Sequence, residues 1–167
     1  MTLRIKKTND TSSAFAYAER IAASYGFARP GVPGPQAPMV PMDLGELTAD
    51  EMMNQFAEFS AWAGYAAVKV AEAEALEEDT EGDLKVAEAR FMINEVEVGG
   101  EEKVTVARAR RDSDPEVVRL RKELRRRRAV RKLLVTYFTN YERSAAVLSR
   151  ELTRRGTLYP SEQRSSK

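Results

Sequence analysis

The chain contains neither cysteine nor histidine among its 167 residues. It therefore cannot assemble a Ser-His-Asp triad, a cysteine nucleophile, a CxxC redox pair or a His/Cys zinc site, which removes most common enzyme designs. A glycine-rich phosphate loop is missing as well: Gly31 and Gly34 sit among prolines, and Gly99-Gly100 has no Lys-Ser/Thr after it. No apolar run approaches the roughly 18 residues of a membrane span, and Met1 to Lys7 is not followed by the apolar core of a signal peptide. These absences predict an intracellular, non-enzymatic protein with no membrane partner, no metal and no cofactor.

What is present is charge, at 32% of residues, beside 43% hydrophobic residues, a balance that suits helices with one wetted face better than disorder. The net charge of +1 hides a division. Residues 43–100 hold fifteen acids and three bases, whereas residues 101–155 hold eight acids and seventeen bases. The densest stretch is Arg119 to Lys132, nine cations against one acid. Like charges three and four apart each destabilise a helix by roughly 0.2–0.5 kcal/mol, so this stretch calls for a polyanion or an acidic surface beside it.

Three segments are expected. Residues 1–41 read as an appendage: Thr11-Ser12-Ser13 can cap a short helix carrying Phe15, Tyr17, Ile21 and Ala22, and Gly26 is placed to end it. Five prolines then fall within Pro30 to Pro41, a stiff linker. Residues 42–156 form a helical domain, and residues 157–167 a loose polar tail.

Within the domain, Thr48 and Glu51 make a capping box, with Leu47 and Met52 placed as a hydrophobic staple. Met52, Phe56, Phe59, Ala63, Ala66, Val70 and Ala73 follow at alternating spacings of four and three, the seam of a coiled coil or bundle. The same register continues through Glu77, Thr80, Leu84, Ala87 and Phe91, and Gly82 is expected to kink or break the helix. Asp114 and Pro115 start a second long helix, with Gly156 as its C-cap. Its seam runs Val117, Leu120, Leu124, Arg127, Arg131, Leu134, Phe138, Tyr141, Ala145, Leu148 and Leu152. Between the helices, Val96 and Val98 alternate into Gly99-Gly100, then Val104 and Val106, a pattern open to a small β-hairpin near 94–106 or to a helical loop. The fold class is all-α: an elongated bundle of two or three long helices with coiled-coil-like seams. One helix over 115–155 would span about 60 Å, leaving apolar seams uncovered, so a homo-oligomer is expected.

Arg121, Arg125, Arg128 and Lys132 are spaced four, three and four apart, one basic stripe flanked by Arg119, Lys122, Arg126, Arg127 and Arg131. Such a stripe can track a phosphate backbone. It can equally be neutralised by the acidic segment Glu72 to Asp83, in the same protomer or the next. Arg108, Arg110 and Arg111 are secondary basic candidates. Phe138 and Tyr141 fall on the seam and read as core, as do Trp62 and Tyr65 by size, whereas Tyr137 lies off it. The carboxylates of Glu72 to Asp83 point round one helix, unlike the convergent carboxylates of a magnesium nuclease. Phe15 and Ala18 match the Phe-x-x-Ala pattern by which partners dock on RecA-type recombinases, which would suit a regulator that docks on a recombinase or integrase; the alternative is an N-terminal helix that caps an oligomer.

An aromatic-bearing helix with a central Trp (Phe59-Ser-Ala-Trp62), a long charged helix, an irregular segment and an Asp-rich break before a last long helix together resemble the UvsY-type recombination mediators of tailed bacteriophages. The resemblance covers roughly Leu47 to Gly156. It implies a ring-forming helical protein of the host bacterial cytoplasm that binds single-stranded DNA, displaces single-strand-binding protein and helps load a recombinase. The family carries basic residues on the helix after the Trp; this chain has Glu72 to Asp83 there, which moves the expected DNA contacts to Arg119 to Lys132.

Overall fold

The computed structural model of the chain describes residues 14–41, 43–99 and 104–158. Among these lie four helices and no strand: α1 (Ala14–Ser24), α2 (Ala49–Gly99), α3 (Val104–Ser113) and α4 (Pro115–Leu158). The chain is all-α, and α2 and α4 pack together as long antiparallel partners, as the contacts below show.

The helix starts follow from capping chemistry. Thr48 donates its backbone N–H to Glu51 Oε2 at 2.8 Å and accepts the Glu51 N–H on Oγ1 at 3.2 Å, the reciprocal bonds of a capping box. The Thr48 interaction holds the Glu51 carboxyl below its ordinary range. Asp114 Oδ1 accepts the N–H groups of Glu116 and Val117 at 2.9 and 3.0 Å, so α4 opens on Pro115 as its residue order predicts. At the end of α1, Gly26 adopts φ +86°; Phe27 N–H donates to Ala22 O and Gly26 N–H to Ala23 O, a Schellman motif. The expected cap at Thr11-Ser12-Ser13 lies outside the described residues, as do residues 159–167 of the tail.

Three local expectations are corrected. No hairpin forms over the described part of 94–106, because 94–99 continue α2 and 104–106 open α3; residues 100–103 lie outside the described set. Extending an existing helix adds one hydrogen bond per residue fixed, while an isolated two-stranded hairpin is marginal in water. Of the kink or break expected at Gly82, the break does not occur, since α2 runs on from Ala49 to Gly99. Gly156 is not a C-cap, since α4 continues through it to Leu158 and Gly26 is the one described glycine with positive φ.

The described chain forms two compact units. The first joins α1, residues 72–99 of α2, α3 and α4 as far as Arg128. Its buried residues are Ala73, Thr80, Ala107, Val117, Leu120 and Leu124, with Leu84, Ala87 and Phe91 half-buried. Thr80 satisfies its hydroxyl on Leu76 O at 2.7 Å, so a polar side chain sits on the seam without an orphan donor.

The second unit joins residues 29–71 with α4 from Ala129. Met52, Phe59 and Leu148 form its buried cluster, and Leu44, Leu47, Phe56, Tyr141, Ala145 and Leu152 pack against it. The rings of Phe59 and Trp62 lie 6.4 and 5.9 Å from that of Tyr141, within the range of favourable tilted pairs. Burial pushes the Tyr141 hydroxyl pKa up. Arg155 then closes the unit: its guanidinium donates to Leu47 O at 2.5 Å and Leu44 O at 2.6 Å, while Glu151 accepts from it at 2.9 Å.

Candidate nucleic-acid interface

Burial of Val117, Leu120 and Leu124 sets the rotation of α4 in the first unit, and the helix period then decides where each cation goes. Arg119, Lys122 and Arg126, spaced three and four apart, fall on the outer side and are exposed; Arg125 is exposed beside them. Among the described residues Arg119, Lys122 and Arg125 form no ion pair, and Arg126 reaches Glu123 only at 3.7 Å with 66% of its side chain exposed. These four make an outward ridge about two helical turns long.

The other arginines of the run are engaged. Arg121 donates to Glu88 at 2.6 and 3.2 Å and to Asp112 at 2.7 Å, tying α4 to α2 and to the end of α3. These bonds raise the Arg121 pKa, Glu88 contributing most. They also depress that of Asp112, to which Arg111 donates as well. Arg128 lies 3.2 Å from Glu77 and 3.5 Å from Glu81. Glu77 is on the α2 seam with only 12% of its side chain exposed. Lys85, aided by Arg128, lowers the Glu81 pKa. Arg127, also on a seam position, is half-buried and held by Glu123 at 2.9 Å.

The stripe expected from spacing alone therefore divides. Arg121 and Arg128 meet acids of the same protomer, whereas Arg125 stays outward with the flanking trio. As α2 numbers rise from Glu77 to Glu88, the α4 partners fall from Arg128 to Arg121, so an antiparallel hairpin brings the acidic and basic segments together. Glu88 and Asp112 were not singled out by sequence reasoning; pairing positions across an antiparallel seam is the signal that leads to Glu88.

In the second unit, Arg131 is half-buried at its seam position and Lys132 is exposed. Tyr137 is 47% exposed, whereas Phe138, Tyr141, Trp62 and Tyr65 are half-buried, in line with their reading as packing residues. In the first unit Arg108 is exposed, Arg110 pairs with Glu95 at 3.2 Å and Arg111 with Asp112 at 2.8 Å. On α1, Phe15 is half-buried and Ala18 exposed, so the two residues of the docking pattern are not presented alike; Tyr17 and Ile21 are the large hydrophobic side chains exposed on that helix. A shallow groove lies between Asp83, Val86 and Arg90 of α2 and Glu116, Arg119 and Leu120 of α4, with both signs of charge on its walls.

Such a surface can bind anions through fixed charges. Comparison with protein-family models, with curated proteins and with solved structures finds no match to this chain.

Proposed function

We propose that this protein binds single-stranded DNA without catalysing a reaction, along the outer face of α4, as a recombination mediator of the UvsY type that helps load a recombinase in an infected bacterial cell. The observation that supports the reading is the outward ridge of Arg119, Lys122, Arg125 and Arg126. Among the described residues Arg119, Lys122 and Arg125 of this row form no ion pair and Arg126 meets Glu123 only at 3.7 Å, so phosphates are the partner that offsets its repulsion.

Binding through four phosphates releases counterions, so affinity for an oligonucleotide falls with salt at a log-log slope of about −0.7 per phosphate, or about −3 in all. Fluorescence anisotropy from low to moderate salt measures this. Arg125→Glu with Arg126→Glu abolishes binding and leaves helicity intact, while absence of binding by the unmodified chain at low salt sinks the reading.

A second reading is an assembly protein of a phage particle whose basic helix meets an acidic helix of another subunit. It is favoured by Arg121 and Arg128, which already meet Glu88, Glu77 and Glu81 in this way within one chain. Under it, the same charge reversal dissociates the oligomer instead.

A further inference from the structure

Four charged side chains of the first unit take no part in the pairing that ties α2 to α4. Asp83 and Arg90 of α2, and Glu116 and Arg119 of α4, are exposed and form no ion pair or side-chain hydrogen bond among the described residues. All four line the shallow groove between the two helices, together with buried Leu120, half-buried Ala87 and Val86. The groove has a volume of about 240 Å³, below the roughly 300–1,000 Å³ of a pocket for a drug-sized molecule, which suits a single planar ring system.

The residue types narrow the occupant. A phosphate seated on Arg90 would meet the repulsion of Asp83 and Glu116, and a wholly apolar group would strip four charges of water without giving them partners. Both signs are satisfied by a flat group with acceptors on one edge, donors on another and apolar faces between. Guanine is built this way: O6 and N7 accept from an arginine together, and the 2-amino group donates. Asp83 and Arg90 stand seven residues apart on α2, about 10 Å along its axis, which leaves room for one base with a hydrogen bond at each end.

We infer that this groove holds one unstacked guanine of a DNA strand. Arg90 donates to O6 and N7, Asp83 accepts from the 2-amino edge, and the ring faces lie against Ala87 and Leu120. Single strands expose that edge, whereas pairing in a duplex occupies it. The inference rests on the reading of the α4 ridge as a DNA surface, since Arg119 belongs to both the ridge and the groove wall and a strand on the ridge brings its bases to the groove.

Fluorescence anisotropy at low salt with three oligonucleotides tests it: one all thymine, one with a single central guanine, and one with inosine, which lacks the 2-amino group, in the same place. One guanine is expected to raise affinity roughly tenfold over thymine, and inosine to lose most of that gain. Asp83→Ala removes the preference and strengthens binding of the all-thymine strand, because one carboxylate no longer repels its phosphates; Arg90→Ala also removes the preference. Equal binding of the guanine and thymine strands, equal binding of guanine and inosine, or a preference that survives Asp83→Ala overturns the inference and leaves the ridge as a DNA surface. No binding of any strand overturns both.

Discussion

Glu151 carries the largest resolved acid shift among the described residues. Its carboxylate accepts from Arg154 at 2.6 and 2.7 Å and from Arg155 at 2.9 Å, and these bonds lower its pKa from 4.5 to about 2. The carboxylate binds its proton less readily in the fold than in the unfolded chain, so its contribution to stability is fully present above about 4.5. It is lost as pH falls from there through about 2. Arg155 also anchors Leu44 O and Leu47 O, so this residue links an acid titration to the loop that leads into α2. Thermal melts of Glu151→Gln beside the unmodified chain are expected to show a lower midpoint for the variant at neutral pH, with the difference closing between pH 4.5 and 2. A difference that stays constant over that window would remove Glu151 from the acid response.

At the level of whole helices, the caps argue most directly from residue type to energy. Thr48→Ala removes the hydroxyl that accepts the Glu51 N–H while keeping the backbone N–H that donates to Glu51, and Asp114→Ala frees two N–H groups at the start of α4, each expected to cost about 1 kcal/mol in chemical denaturation. The same chemistry explains what the sequence revealed about the helices. Every α2 seam position from Met52 to Phe91, and every α4 seam position from Val117 to Leu152, is buried or half-buried, because a spacing of four and three leaves no other face to bury. The arginines at 127 and 131 belong to that seam as well, half-buried where Leu would have been the simpler choice. Legibility ended where local signals compete. Val96, Val98, Val104 and Val106 alternate as strand residues do, but helices on both sides override the pattern. For the basic run, spacing identified a stripe without saying which edge faces acids; that required the pairing of Arg121 with Glu88 and Arg128 with Glu77.

For the molecule as a whole, the two units are held by different forces. The second buries Met52, Phe59 and Leu148 to 2% exposure or less, and each large apolar side chain so removed from water contributes about 1.5–3 kcal/mol. The first buries smaller residues around Val117, Leu120 and Leu124, and adds ion pairs such as Arg121–Glu88 and Arg128–Glu81. Partly exposed pairs of this kind are worth about 0–1 kcal/mol each, and the arginines at 125–128 repel one another along α4. The unit that brings the acidic and basic stretches together is thus the less firmly packed of the two, and it carries the candidate DNA-binding surface. Hydrogen exchange followed by mass spectrometry is expected to show lower protection for amides 117–128 than for 138–152 at neutral pH. Leu148→Ala, which empties a fully buried site at a cost of about 2–5 kcal/mol, should lower protection over 138–152 and leave the earlier opening of 117–128 where it was. Equal protection of the two segments, or an equal response of both to Leu148→Ala, would mean that α4 opens as one cooperative element and that its charged part draws on the apolar core for its stability.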